Sequence, residues 1–349
     1  MQSDLSIAEG AYLRDILDQP RALDETLASL EVSKTLRQLV ARFQSGKFKT
    51  VVLTGMGSSF HALHPLHIKL INHGLTAMMV ETSELLHYRN RLFDPKTLIV
   101  AVSQSGQSAE VVRLLEINHG KSSIIAITNT PGSPLAERAD ATILSQAGQE
   151  FSVSCKTYVT ALMALQWLGD LVCQRDSQST RQELKAASSA VRDYLAHWRE
   201  HVQELAPMFK GTRHLLLVGR GSSLAAVGTG ALIIKESDHF QAEGMSSGAF
   251  RHGPFEMLCD GTFVIVFAGD HKTRHLNQRL FEDVRAVQGR AELLGEGAES
   301  PPYALPAAPQ SIHPILEILP MQMVTLALAV QVGREPGRFE LASKITTKE

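Results

Sequence analysis

Two stretches of the chain share one pattern of apolar and polar positions. Lys49–Ser59 and His214–Ser223 each run through β-branched and aliphatic residues, stop at Gly-x-Gly-Ser-Ser, and pass into an apolar pattern of helical spacing. A strand that turns through glycines into a helix leaves unbonded N–H groups at the positive end of the helix dipole, a place that suits an anion. After Lys49 the pattern alternates: strand VVLTG, a helix from about Ser59 to Asn72, strands in TAMMVET and KTLIVAVS, helix VVRLLEINHG, and strands in SSIIAITN and ATILSQ. The near-wholly apolar strands LIVAVS and IIAIT suit a sheet buried on both faces, and strands separated by helical lengths imply right-handed crossovers and parallel pairing. A helix from Thr157 to about Cys173 closes this part, and the charged amphipathic stretch Arg181–Phe209 predicts one linking helix. The second half repeats the order with HLLLVG, a helix through Leu232–Lys235, HFQAEG and GTFVIVFAGD. Glu81 and Glu243 follow the two loops at similar intervals.

Before the first strand, Leu13, Ile16, Leu17, Leu27, Leu30, Leu36, Leu39 and Val40 predict a helical lead-in broken at Pro20 and Gly46. Gly295–Pro309 reads as a loop, Leu319–Val332 as an apolar helix, and the last residues as a tail. The expectation is an α/β chain with a helical lead-in over 1–46, a first domain over 47–178, a linking helix over 179–209, a second domain over 210–333 and a tail over 334–349.

At 349 residues, 44% hydrophobic and 20% charged, the composition is that of a globular protein with room for two cores. A net charge of −2 and the lack of a basic run argue against nucleic acid and favour a small-molecule partner. The most apolar stretch, Met321–Val332, is too short to cross a membrane and reads as a buried helix. The acidic N-terminal stretch does not suit a signal peptide. Cys155, Cys173 and Cys259 lack metal-ligand spacing and are expected to be buried thiols in a reducing cytoplasm.

Six short motifs in order then give a family resemblance over nearly the whole chain: GMGSS, SQSGQSAE (Ser103–Glu110), AGQEFSVS (Ala147–Ser154), KES (Lys235–Ser237), SSGAFRHGP (Ser246–Pro254) and LASK (Leu341–Lys344). They resemble the double SIS (sugar isomerase) domain, and more narrowly the isomerase half of glucosamine-6-phosphate synthase and the SIS-type glucosamine-6-phosphate deaminases. The resemblance implies two tandem three-layer αβα SIS domains, each with a mainly parallel flavodoxin-like sheet. It implies no cofactor, a hexose or amino-hexose 6-phosphate as partner, and a homodimer whose active site is shared between subunits.

By the resemblance, Ser58, Ser59, Ser103, Gln104, Ser105 and Ser108 form the phosphate pocket, while Gly57, Glu150, Val153 and Ser154 line the sugar. Serine and glutamine can hold a dianion without lysine when helix dipoles supply part of the charge and many N–H and O–H donors the rest; serine-rich loops are also ordinary turns. The second loop, Gly221–Ser223, reads as structural. Glu236 lies in an apolar helical pattern, as the helix's exposed edge or as the family's glutamate for C1–C2 proton transfer; His252 matches the ring-opening histidine, contributed in the family by the neighbouring subunit. Lys344 is a solvated tail charge or, by its match, the lysine that attacks C2 of an open-chain ketose phosphate, under a tail folded over the sugar. His61, His64 and His67 could share a helix face, but without an accompanying carboxylate no metal site is expected.

Two positions depart from the synthase, Thr229 and Ile233, where it has a glutamate and a lysine. SCKTY, after Val153, is one residue shorter. With no glutaminase domain to supply ammonia, the leading expectation is a glucosamine-6-phosphate deaminase releasing fructose 6-phosphate and ammonia. The alternatives are a fructosamine-6-phosphate deglycase, another amino-sugar phosphate isomerase, and a non-catalytic phosphosugar sensor.

Overall fold

The computed structural model describes residues 5–341, Lys344 and Thr346. The lead-in is three helices: α1 (Ala11–Leu17), α2 (Gln19–Ser29) and α3 (Lys34–Gln44). Pro20 does not end a helix but sits in the first turn of α2, where its missing N–H has no partner to lose. Gly46, at φ +71°, lies just past the end of α3.

There follow β1 (Thr50–Gly55), α4 (Gly57–His61), α5 (His64–Asn72), β2 (Ala77–Glu81), α6 (Thr82–Tyr88), β3 (Thr97–Val102), α7 (Ala109–Asn118), β4 (Ser123–Thr128), α8 (Pro134–Arg138) and β5 (Ala141–Leu144). The single helix expected from Ser59 to Asn72 is two, because Pro65 in the first turn of α5 prevents the chain from running on from α4. Then come α9 (Lys156–Val172), α10 (Ser177–Leu195) and α11 (Trp198–Met208). Here too one expected helix, over 181–209, is two, separated at Ala196–His197, where His197 leaves helical geometry at φ −105°, ψ 20°.

The rest is β6 (His214–Gly219), α12 (Leu224–Asp238), β7 (Gln241–Ser246), α13 (Ser247–Arg251), β8 (Thr262–Phe267), α14 (Arg274–Ala286), β9 (Arg290–Leu294), α15 (His313–Leu316) and α16 (Leu319–Val332). Neither α14 nor β9 stands out in the sequence: α14 is mostly polar, and β9 alternates only weakly.

The fold is α/β with two sheets, each parallel throughout: β2-β1-β3-β4-β5 and β7-β6-β8-β9. β3 is buried at every position, as its apolar run requires. The interval linking Glu81 with Glu243 does not survive as register. Gly55 pairs with Glu81, whereas the counterpart of Gly55, Gly219, pairs with Ser246; Glu243 stands opposite Leu216, inside the sheet.

The chain divides into two compact units. One comprises 21–149, 156–185 and 341–349, with the five-stranded sheet. The other comprises 1–20, 150–155 and 186–340, with the four-stranded sheet. The first core gathers Val52, Ile99, Leu114, Ile124 and Leu135. The second gathers Leu216, Val218, Phe250, Val264 and Leu280.

In the second unit the helical run Gln310–Val332 is long and apolar enough, by length and composition, to cross a membrane, so the expectation that no segment reaches that length is corrected. The run starts eleven residues before Met321, and its 319–329 portion is buried inside the protein. The expectation of three buried thiols is corrected as well: Cys155 is buried, Cys173 half-buried and Cys259 exposed.

Candidate functional site

The glycine–serine loop of the unit with the five-stranded sheet begins where β1 stops. A Cβ on Gly55 would stand 3.0 Å from the Val102 carbonyl oxygen and 3.1 Å from the Phe60 nitrogen, so only glycine lets β1 end against both β3 and α4. Gly57, at φ +53°, turns the chain into α4 and places Ser58 and Ser59, both half-buried, in its first turn. In this sheet β1 leads to an edge on one side and β3 to strands on the other. Their carboxyl ends therefore flank the topological switch point, the crevice where open α/β sheets bind ligands.

The loop after β3 closes on itself at that crevice. Ser103 Oγ accepts from the Gly106 N–H at 3.1 Å and Ser105 Oγ from the Gln107 N–H at 3.3 Å. Each hydroxyl that accepts in this way keeps its own proton to donate. The Gln104 carbonyl accepts from Asn129 N–H at 3.1 Å and from the hydroxyls of Thr128 and Thr130 at 3.2 and 3.3 Å, anchoring the loop to the end of β4. Gly106 takes φ +63°, and a side chain there would collide with Ser133. Ser108 is the N-cap of α7, yet its hydroxyl makes no capping bond; the Ala109 N–H donates instead to the Thr346 carbonyl at 3.2 Å. The tail thus reaches the start of α7, with Lys344 half-buried two residues before that contact. Ser58, Ser59, Ser103, Gln104, Ser105, Ser108 and Lys344 all belong to this unit.

In the other unit, α12 is almost wholly apolar and ends in Glu236, Ser237 and Asp238. Glu236 is half-buried, and the neighbouring Ser237 and Asp238 are buried. The segment 150–155 is tied to the same place. Its Phe151 N–H donates to Asp15 Oδ2 at 2.7 Å, its Ser152 hydroxyl donates to the Gly337 carbonyl at 2.6 Å, and the Gly337 N–H donates to the Ser237 carbonyl at 3.3 Å. Glu150 Oε1 accepts from the Cys155 N–H at 2.9 Å, so this buried carboxylate shapes the turn that carries Val153 and Ser154. Val153 is buried and Ser154 half-buried.

Tyr12 joins these parts. Burial pushes its phenol well above the usual range, and Cys155, Asp238 and Glu236 add to the effect. Neither Tyr12 nor Asp238 was singled out in the sequence. A tyrosine among the apolar positions of the lead-in and a second acid two residues after Glu236 were the available signals.

His252 follows α13, is exposed, and its ring makes no hydrogen bond among the described residues. Gly253, at φ +138°, turns the chain sharply after it. Thr229 and Ile233 are fully buried in α12, and the Thr229 hydroxyl has no partner among the described residues.

The second loop is chemically unlike the first. Ser223 donates its proton to Glu317 Oε1 at 2.7 Å, and Asp270 Oδ2 stands 3.7 Å from where a Cβ on Gly221 would lie. Burial, with Asp270 adding, raises Glu317 to about 7 despite the Ser223 bond. A phosphate there would meet two acids rather than free hydroxyls. On α4 and α5 the His61 and His64 rings stack at 6.5 Å, while burial and the two neighbouring imidazoles lower His64 to about 4.

Two parallel α/β sheets, the first with a glycine–serine loop and a self-bonded serine loop at its switch point, define the class: an open α/β protein with a crevice suited to an anionic small molecule. Residues 47–169 match the SIS domain family. It is similar to the glutamine–fructose-6-phosphate aminotransferase [isomerizing] of Pyrococcus horikoshii, at 30% identity over all of this chain and 60% of the relative. The chain thus spans about three-fifths of the length of the curated relatives it matches. In fold it is similar to the C-terminal domain of glucosamine-fructose-6-phosphate aminotransferase from Francisella tularensis, with TM-score 0.82, 23% identity, and coverage of 95% of this chain and 98% of that one. It also resembles in fold the glucosamine-6-phosphate deaminase of Thermotoga maritima, with TM-score 0.75, 17% identity, and coverage of 97% and 100%.

Proposed function

We propose that the chain is a tandem SIS phosphosugar isomerase that deaminates glucosamine 6-phosphate to fructose 6-phosphate and ammonia. The observation that carries the reading is the pair of loops at the β1/β3 switch point: Ser103 and Ser105 accept from their own loop and keep their protons for a phosphate. With Ser58, Ser59, Gln104 and Ser108 they supply neutral donors where a dianion gains from the α7 dipole. The half-buried Glu236, beside the segment that carries Val153 and Ser154, takes the C2 proton and returns it at C1; water then hydrolyses the C2 imine. His252, exposed and without a hydrogen bond among the described residues, opens the ring of a sugar held by a second subunit, which makes the homodimer the active form. Under the tail, Lys344 Nζ can attack the C2 imine and expel ammonia, after which water hydrolyses the resulting Schiff base to fructose 6-phosphate and the free lysine.

Replacement of the synthase's polar pair by the buried Thr229 and Ile233 supports chemistry different from amination. Purified protein incubated with glucosamine 6-phosphate should release ammonia, and Glu236→Gln should abolish that release. A panel including fructosamine 6-phosphates separates deglycation from deamination. Release no faster than from Glu236→Gln would refute the reading.

A further inference from the structure

After α16 a short strap crosses the end of the helix that carries Glu236. Gly333, at φ +69°, turns the chain out of α16, and residues 334–340 follow with a turn at Pro336 and Gly337. Both turn residues are buried, and Gly337 takes φ +76°, the left-handed second position that a Pro-Gly pair supplies. Arg334 donates to Nε2 of His239, the left-handed C-cap of α12, at 3.0 Å and pairs with Glu340 Oε1 at 3.0 Å. The two ends of the strap are thereby tied to each other and to α12.

The middle of the strap bridges α12 to the turn that carries Val153 and Ser154. The Gly337 N–H donates to the Ser237 carbonyl at 3.3 Å, while the Gly337 carbonyl accepts from the Ser152 hydroxyl at 2.6 Å. Ser237 adjoins Glu236, and Ser152 adjoins Val153. A Cβ on Gly337 would collide with the Ser152 hydroxyl and stand 3.0 Å from Tyr12 Cβ, so the bridge has room for glycine alone.

The residue before Ser152 is held from the other side. Asp15 of α1, 2% exposed, accepts from the Phe151 N–H through Oδ2 at 2.7 Å. Consecutive residues are thus pinned, Phe151 to α1 and Ser152 to the strap. Asp15, Ser152, Ser237 and Gly337 are all buried, where a group that loses its partner finds no water to replace it.

Building on the reading of Glu236 as the base, we infer that Ser152 and Asp15 are positioning residues for its proton transfer. Ser152, through Gly337, fixes the spacing between the end of α12 and the sugar-lining turn; Asp15 fixes the turn's orientation. Both act through the backbone. A carboxylate that must reach C2 and then C1 loses rate when it is displaced, while a substrate held mainly by its phosphate loses little affinity.

The test compares wild type with Ser152→Ala, Asp15→Ala and Asp15→Asn by melting, by hydrogen–deuterium exchange and by ammonia release from glucosamine 6-phosphate. Ser152→Ala should speed exchange over 334–340 about fivefold, the loss of one hydrogen bond, and leave β3 unchanged. It should lower kcat about tenfold with KM within about twofold of wild type. Asp15→Ala should lower kcat alike, whereas Asp15→Asn keeps an acceptor for the Phe151 N–H and should stay within about twofold. A purely structural role would lower Tm and leave kcat per folded molecule unchanged. That result in Ser152→Ala, or equal losses in Asp15→Asn and Asp15→Ala, overturns the inference; where one site's alanine variant does not fold, the other site decides. No release from wild type, or release retained in Glu236→Gln, refutes the base reading instead. The bridge is then read by exchange alone: faster over 334–340 in Ser152→Ala supports it, and unchanged overturns it.

Discussion

Glu317 offers the sharpest quantitative prediction. It is 3% exposed, bonded through one oxygen to Ser223, and raised from 4.5 to about 7 by burial with Asp270 adding. In the unfolded chain the carboxyl ionises near 4.5; in the folded protein it holds its proton to about 7. Between those values the folded state binds more protons, so stability is full at pH 4.5 and falls as pH rises towards 7. Above 7 a constant deficit remains. At about 1.4 kcal/mol per pH unit, that deficit is about 3 kcal/mol.

Glu317→Gln removes the ionisation, keeps an oxygen for Ser223, and places the amide nitrogen where Oε2 already lacks a partner. The variant should match wild type at pH 4.5–5 and be more stable at pH 8.5 by about 3 kcal/mol, about 5–10 °C in Tm for a unit of this size. Calorimetric or dye-monitored melting at the two pH values reads this. The size should shrink in an Asp270→Asn background, because Asp270 helps to raise Glu317. Equal Tm differences at both pH values, or no gain at pH 8.5, would refute the argument that this carboxyl is buried as an acid.

Other substitutions test the loops. Gly106→Ala forces a side chain into a φ +63° position and against Ser133; it should lower stability by about 1–3 kcal/mol and weaken binding of inorganic phosphate, measured by melting with and without phosphate. Gly337→Ala should displace Ser152 and Tyr12, lowering kcat for ammonia release more than it raises KM.

β1 and β6 were legible as apolar runs closed by glycine, β3, β4 and β8 as apolar runs in themselves, and the helix Leu319–Val332 from its all-round apolarity. The motifs also brought out the serine loops and Glu236, since each breaks a local pattern. β9 and α14 escaped because one barely alternates and the other is mostly polar. Helix breaks at Pro65 and His197 depend on local backbone geometry that periodicity does not report. Tyr12 and Asp238 escaped for another reason. Their meaning comes from neighbours distant in sequence, Gly337 and Cys155, and no spacing rule links 12 with 238. Likewise the contrast between the two glycine–serine loops rests on Glu317, 94 residues after Ser223.

The central claim is that the first sheet's switch point, and not the second's, holds the phosphate. Calorimetric titration of a hexitol 6-phosphate into wild type, Ser103→Ala with Ser105→Ala, and Ser222→Ala measures it most directly. The account predicts binding weakened at least about tenfold by the first-loop pair, about 1.4 kcal/mol or more, and unchanged by Ser222→Ala. Binding that survives the first-loop pair and falls with Ser222→Ala would contradict it.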